Sequence, residues 1–160
     1  MSGSGAPDQQ AIDAAGLTLG IVATTWHKEI TESLLARAVA CAEASGVASP
    51  TVVRVPGAIE LPVVAQALAA THDAIVALGV VVRGGTPHFE YVSAAATDGL
   101  SRVALDTGKP VGFGVLTLDD EQQGLDRAGL PGSKEDKGEE AASAAINTAQ
   151  VLRGLRMSAR

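Results

Sequence analysis

Residues Ala74 to Val82 read AIVALGVVV, nine residues without a single polar side chain. A strand with one wet face alternates apolar and polar residues. An unbroken apolar run is what a strand covered on both faces needs, and such strands belong to parallel sheets held between helices. The stretch is therefore read as the central strand of an α/β fold, and the remaining elements are placed outward from it.

Downstream, RGGTPH turns the chain into a long helix expected over Pro87 to Asp106, and GKP returns it to a further strand, VGFGVLTL. Upstream, LTLGIVATT is a short β-rich run, and Lys28 to Ser45 carries apolar residues at helical spacing until Gly46 stops it. TVVRVPG gives another strand, and IELPVVAQALAATH a second helix in which Pro62 is tolerable because it lies in the first turn. A shorter helix is expected over Glu121 to Ala128, then a loop GLPGSKED, then an Ala-rich helix from Lys137 to about Arg156. Asp136 and Glu139 stand three apart at its start, the spacing of an N-cap and its reciprocal partner. Strand and helix thus alternate four times. The expected fold is a flavodoxin-like three-layer αβα sandwich around a four-stranded parallel sheet, doubly wound with right-handed crossovers.

A chain of 160 residues with 46% hydrophobic and 19% charged residues fits one globular domain. Residues 1 to about 15 are small and polar and are expected to form a flexible segment, with Ile12 able to anchor nearby, so the domain is placed at residues 16–158. Only 2% of residues are aromatic, so Ala, Val, Leu and Ile must fill the core. The net charge of −6, with no block of Lys or Arg, argues against nucleic acid or an anionic membrane as partner. No segment is long and apolar enough to span a bilayer and no leader pattern opens the chain, so cytoplasm is the expected location. The single cysteine, Cys41, excludes an internal disulfide and a multi-thiolate metal site; it is placed on the stripe Ile30, Leu34, Ala38, Cys41 as an inert buried residue.

Ligands of open α/β sheets bind at the carboxyl ends of strands. Four corners qualify: TTWHKE, PGAIE, RGGTPH and LTLDDE. At the third, Gly84 and Gly85 strip side chains from the turn, Thr86 can cap a helix and Pro87 presets its first residue, a combination that offers amides to a small phosphate. The same residues would serve an ordinary tight turn. His88 adds an imidazole able to exchange protons near neutral pH. His72, closing a helix, is read as a capping or surface residue. Trp26, the only tryptophan, sits at a strand's carboxyl end, where its indole could stack on a planar heterocycle instead of filling the core. Glu60 could be a structural carboxylate at a helix start or an acceptor for a polyol. Lys137 opposes the dipole of its helix, at a cost of a few tenths of a kcal/mol, which suggests a task. Arg127 has the fork that suits phosphate, but its spacing does not decide between that role and a solvated surface position.

Taken in order, GIVATTWH, VVRVPGAIELP, ALGVVVRGGTPHFEYV, FGVLT, DRAG and DKG resemble the 6,7-dimethyl-8-ribityllumazine synthase family of riboflavin biosynthesis, from Leu17 to Leu155. The resemblance implies a transferase that condenses 5-amino-6-ribitylaminouracil with 3,4-dihydroxy-2-butanone 4-phosphate, without metal or cofactor. It implies His88 as general acid/base, phosphate on the Gly85 and Thr86 amides with Arg127, and Trp26 stacked on the pyrimidine. Ala58, Ile59 and Glu60 would hold the ribityl chain, and Val80, Val81 and Val82 would offer backbone groups to the ring. Phe113 and Arg127 would come from a neighbouring subunit, with Lys137 lining the phosphate region. The implied partners are copies of the chain in a homopentamer or an icosahedral shell of pentamers, with riboflavin synthase acting downstream.

Two departures stand out. QQG at Gln122 to Gly124 replaces a more usual EQA and puts the stability of that helix in question. The loop GLPGSKEDKG is longer than the family's short form, which favours free pentamers. A flavin- or nucleotide-binding module is disfavoured because TTWHKE has no G-x-G-x-x-G. A non-catalytic flavin- or lumazine-binding or shell-forming paralogue would have little need of His88, Arg127 and Lys137 together.

Overall fold

The structure, a computed structural model, describes Gly5 and residues 12–159. Four strands, β1 (Leu19–Thr24), β2 (Thr51–Val55), β3 (Ala74–Val82) and β4 (Val111–Leu118), pair in the order β2-β1-β3-β4, all parallel. The helices are α1 (Lys28–Ala44), α2 (Leu61–Ala69), α3 (His88–Thr107), α4 (Glu121–Leu125) and α5 (Lys137–Ser158), with a single 3₁₀ turn, Ala58–Glu60, leading into α2. Ala74 to Val80 are all buried, as the apolar run demanded of a central strand.

Alternating side chains of the strands feed two cores. Ile21, Val76, Leu78 and Leu116 pack with Ile30 and Leu34 of α1 and Ala142, Ala145 and Ile146 of α5 on one face. Val22, Ile75, Ala77 and Val115 pack with Leu61 and Ala65 of α2 and Ala96 and Leu100 of α3 on the other. The small residues of α5 let it approach closely: a Cβ on Gly112 would lie 2.2 Å from the Ala141 carbonyl oxygen, and one on Gly138 2.3 Å from that of Leu34. Ile12 rests on the α1/α5 core, Ala14 is fully buried and its N–H donates to Ser45 O at 2.7 Å. The flexible segment expected before residue 16 otherwise falls mostly outside the described residues.

Several local expectations are corrected. The stripe of α1 continues through Ala42, which is fully buried, while Cys41 is only partly covered. The short helix ends at Leu125, so Arg127 lies in the turn beyond it. The glycine that raised doubt about this helix is what seats it: a Cβ on Gly124 would fall 2.6 Å from Ile30 Cδ1 and 2.8 Å from Leu118 Cδ1. Asp120 caps the helix by accepting from Gln123 N, and Gln123 Oε1 accepts from Asp119 N. At α5 the expected cap is present, Asp136 accepting from Glu139 N at 3.0 Å. His72 acts as a cap too, its ring bonding Leu68 O and Thr51 Oγ1.

Candidate active site

The carboxyl edge of the sheet is stepped. β1 pairs with β3 only as far as Ala23↔Leu78, and β1 and β2 end together at Thr24 and Val55. β3 and β4 continue side by side to Val82↔Leu118. At about 3.3 Å per residue, β3 stands roughly 10 Å proud of its β1 neighbour. Along that length its β1-side backbone groups have no strand to pair with. The chain leaves β1 for β2 on one side and arrives at β3 on the other, so the step coincides with the point where the strand order reverses, the place where open α/β sheets hold ligands.

Loops from β1 and β2 form the floor and one wall. Thr25 is tied to the β2 loop, its N–H and hydroxyl both donating to Pro56 O at 3.3 and 3.2 Å. Trp26 follows and is 66% exposed, which removes it from the core. Its indole lies beside the β2 loop: a Cβ on Gly57 would sit 3.9 Å from Trp26 Cδ1 and Nε1 and 3.3 Å from Glu60 Oε2. Glu60 accepts from Gly57 N–H at 2.9 Å, the structural role open to a carboxylate at a helix start. Ala58 is buried and Ile59 is 51% exposed. Next, His27 adopts a left-handed backbone, φ 53° and ψ 63°, which costs a non-glycine residue roughly 1–2 kcal/mol. Its Nδ1 lies 3.3 Å from Glu121 Oε1 at the start of α4.

The opposite wall is the turn after β3. Gly84, Gly85, Thr86, Pro87 and His88 are all exposed, and a Cβ on either glycine would meet nothing within 4 Å. Neither glycine has a positive φ, so the turn does not need them for its backbone; they leave open space. Pro87 is the N-cap and His88 the first residue of α3; no side chain caps the helix, which corrects the capping role expected of Thr86. The amides of the first turn consequently have no side-chain cap. Arg83 braces this turn, donating through Nε to Asp119 Oδ1 at 2.9 Å and through Nη1 to Glu90 Oε1 at 2.6 Å, while its guanidinium lies 4.2 Å from the centroid of the Phe89 ring. Its hydrogen bonds to Asp119 and then Glu90 hold the guanidinium above its ordinary pKa, and Arg83 in turn holds Glu90 below the usual carboxylate range. Arg83 is thus a strut for the corner.

Three expected site residues lie apart from this crevice. Arg127 donates to Gln123 O at 2.8 Å and its own carbonyl accepts from Lys137 N–H at 2.9 Å, so these two cations are neighbours in the turn-to-α5 junction. Ser33 and Arg37 of α1 bond Ala128 O and Asp136 in the same junction, which places it beside α1. Lys137 is 11% exposed and its Nζ sits 2.7 Å from both Glu135 Oε2 and Glu140 Oε2. Burial works against its charge, but the two carboxylates outweigh it and hold the ammonium above its ordinary pKa. The cation that breaks the dipole rule is compensated by its neighbours. Phe113 is 46% exposed on the outermost strand, level with Ala77, five residues short of the carboxyl edge.

The family model for 6,7-dimethyl-8-ribityllumazine synthase matches residues 16–153. The chain belongs to this family. It is 67% identical to the 6,7-dimethyl-8-ribityllumazine synthase of Leifsonia xyli subsp. xyli over 158 residues, covering 98% of this chain and 99% of the relative. It is 64% identical to that of Clavibacter sepedonicus with the same coverage, and 61% identical to that of Mycobacterium sp. (strain KMS) over 96% of each chain. Matches of this length leave no room for a partial relationship: the lumazine synthase family accounts for the whole sheet and its helices.

Within this lumazine synthase fold, the chain sets Trp26 beside the Gly57 loop, packs the Ala58–Glu60 turn against β3 and α3, and carries Gly85, Thr86 and His88 at the corner between those two elements. Phe113 lies on β4 five residues short of the edge, and Arg127 and Lys137 meet at the junction into α5. Sequence reading missed the struts: Thr25 on Pro56, Arg83 on Asp119 and His27 on Glu121 join residues 31, 36 and 94 positions apart. No local spacing rule reaches so far. Among the described residues, no cluster of His, Cys, Asp and Glu is arranged to hold a metal ion, and no helix is long and apolar enough to cross a membrane.

Proposed function

We propose that this chain condenses 5-amino-6-(D-ribitylamino)uracil with 3,4-dihydroxy-2-butanone 4-phosphate to give 6,7-dimethyl-8-ribityllumazine, phosphate and water, as a transferase of riboflavin biosynthesis. Beyond family membership, the observation that carries this reading is the stepped sheet edge. Beyond the step the β3 backbone has no β1 partner, the exposed Trp26 indole lies beside the Gly57 loop, and α3 opens at His88 with no side-chain cap.

In this reading the pyrimidine stacks on Trp26 and hydrogen-bonds the backbone of Val80 to Val82. The ribityl chain runs over Ala58 and Ile59 towards Glu60, whose Oε2 is engaged by Gly57, leaving Oε1 to accept from hydroxyls. The phosphate lies on the amides of Gly85 and Thr86, in the space the two glycines leave open. The 5-amino group attacks the ketone, water leaves to give an imine, and a proton lost from carbon drives out phosphate with the C–O electron pair. The resulting enol returns to a carbonyl, the ribitylamino nitrogen closes on it, and a second water leaves. His88 carries protons among these stages, and holding two reactants together removes much of the entropic barrier.

Arg127 and Phe113 reach the site from an adjacent copy in a homopentamer, with Lys137 lining the phosphate region. Their positions away from the crevice of their own protomer support this arrangement. The chain's location is assigned to the cytoplasm and riboflavin synthase follows it in the sequence of reactions. Mixing the purified protein with both substrates should produce the lumazine chromophore, with sedimentation giving the mass of five chains. Binding without turnover would make it a non-catalytic paralogue instead.

A further inference from the structure

We infer that His27 is a positioning residue: its left-handed backbone and its bond to Glu121 hold the Trp26 indole over the crevice. The inference rests on the stacking role proposed for Trp26. A helix N-cap ordinarily has an extended backbone and a side chain that accepts from the first turn. His27 does neither. It stands at φ 53°, ψ 63° with no side-chain cap, a conformation that only a few per cent of non-glycine residues adopt, histidine more readily than most.

The contacts that hold it are visible on both sides. Before the indole, Thr25 is fastened to Pro56 O by backbone and hydroxyl. After it, the His27 carbonyl accepts from Thr31 N–H at 3.0 Å and from the Thr31 hydroxyl at 3.2 Å, and the imidazole reaches Glu121 at 3.3 Å. Trp26 is therefore the one residue between an anchor on the β2 loop and an anchor on the β4 loop. The indole lies beside Gly57 and Glu60, whose loop leads into α2, while α1, which starts just after His27, packs on the opposite face of the sheet. The imidazole and indole, 6.5 Å apart between centroids and tilted by 42°, do not form a stacked pair, and the indole remains 66% exposed.

Trp26 is the only tryptophan, so its fluorescence reports this geometry directly. The experiment compares His27→Val, His27→Asn and Glu121→Ala in the assembled protein. Valine disfavours the left-handed region, asparagine tolerates it, and Glu121→Ala removes the clamp without touching the backbone. His27→Val should lower Trp26 anisotropy, shift its emission to the red and raise the KM for the pyrimidine by up to about tenfold, the worth of one aromatic stack, with kcat within twofold. His27→Asn should retain the wild-type emission and KM, and Glu121→Ala should fall between. The inference is overturned if both His27→Val and Glu121→Ala leave anisotropy and emission unchanged, or if His27→Asn is as impaired as His27→Val. Altered fluorescence with an unchanged KM would uphold the positioning of the ring and refute its stacking on substrate. Should His27→Val fail to fold, the other two variants decide the matter.

Discussion

Replacing Gly112 by alanine tests how α5 is seated. The added Cβ would lie 2.2 Å from Ala141 O, 3.0 Å from Ala141 C and 3.1 Å from Ala145 Cβ. The first contact is about 1 Å inside ordinary carbon–oxygen separation, and the offending atom is backbone, which has no rotamer to escape into. Nor can α5 simply retreat, because at its other flank Gly138 fits against Leu34 O with equally little room. Overpacking of this kind costs about 1–3 kcal/mol, partly offset by the roughly 0.5–1 kcal/mol that alanine gains over glycine in a strand. A net loss of about 1–2 kcal/mol should lower Tm by roughly 2–8 °C for a chain of this size. Gly154→Ala, later in the same helix, is the matched control: its Cβ meets nothing within 4 Å, so the propensity gain stands alone and Tm should rise by about 1–4 °C. Calorimetry must be run at equal chain concentrations, since assembly makes Tm concentration-dependent. If Gly112→Ala melts as high as Gly154→Ala, the idea that backbone contact seats α5 is refuted.

Other expectations bear on the site and on acid stability. Gly85→Ala should leave Tm within about 0.5 kcal/mol equivalent, because the space is open, yet raise the KM for the butanone phosphate; an unaltered KM would move the anion off these amides. His88→Ala should slow turnover by roughly 10²-fold without abolishing it, because orientation supplies much of the acceleration, and an unchanged kcat would remove the imidazole from proton transfer. Burial of Asp73 raises its pKa, but hydrogen bonds from Thr18 N–H and hydroxyl outweigh that and leave it below its ordinary value of 3.8. A depressed carboxyl contributes stability above the unfolded pKa that is lost as pH falls through the folded one. Asp73→Asn should therefore be less stable by about 1 kcal/mol at most at pH 7, given the exposure of the site, and the gap in urea midpoints should begin to narrow as pH falls below about 4. A gap that does not narrow at all between pH 5 and pH 3 would contradict the assignment.

The departure at Gln122 to Gly124 illustrates how a local rule and a tertiary contact trade places. Glycine inside a helix is a poor choice by propensity, and α4 is indeed only five residues long. Packed against Ile30 and Leu118, it is the residue that fits without displacing them. Lys137 shows the same exchange. Its charge is wrong for the helix dipole, and Glu135 and Glu140 supply the field that makes it acceptable.

Periodicity and composition alone determined the element order, the buried central strand, the parallel class and the strand ends where chemistry would sit, because these depend on which residues lie next to one another along the chain. The places of Trp26, two residues past β1, and of His88, six past β3, were legible for the same reason. Only the tertiary structure decided how far β3 outruns β1, that His27 turns left-handed to meet Glu121, and that Arg83 spends its charge on Asp119 and Glu90. It also decided that Arg127 and Lys137 touch each other and not the corner. Register and contacts between distant residues follow from the packing of two cores at once, and no spacing along a single chain encodes that.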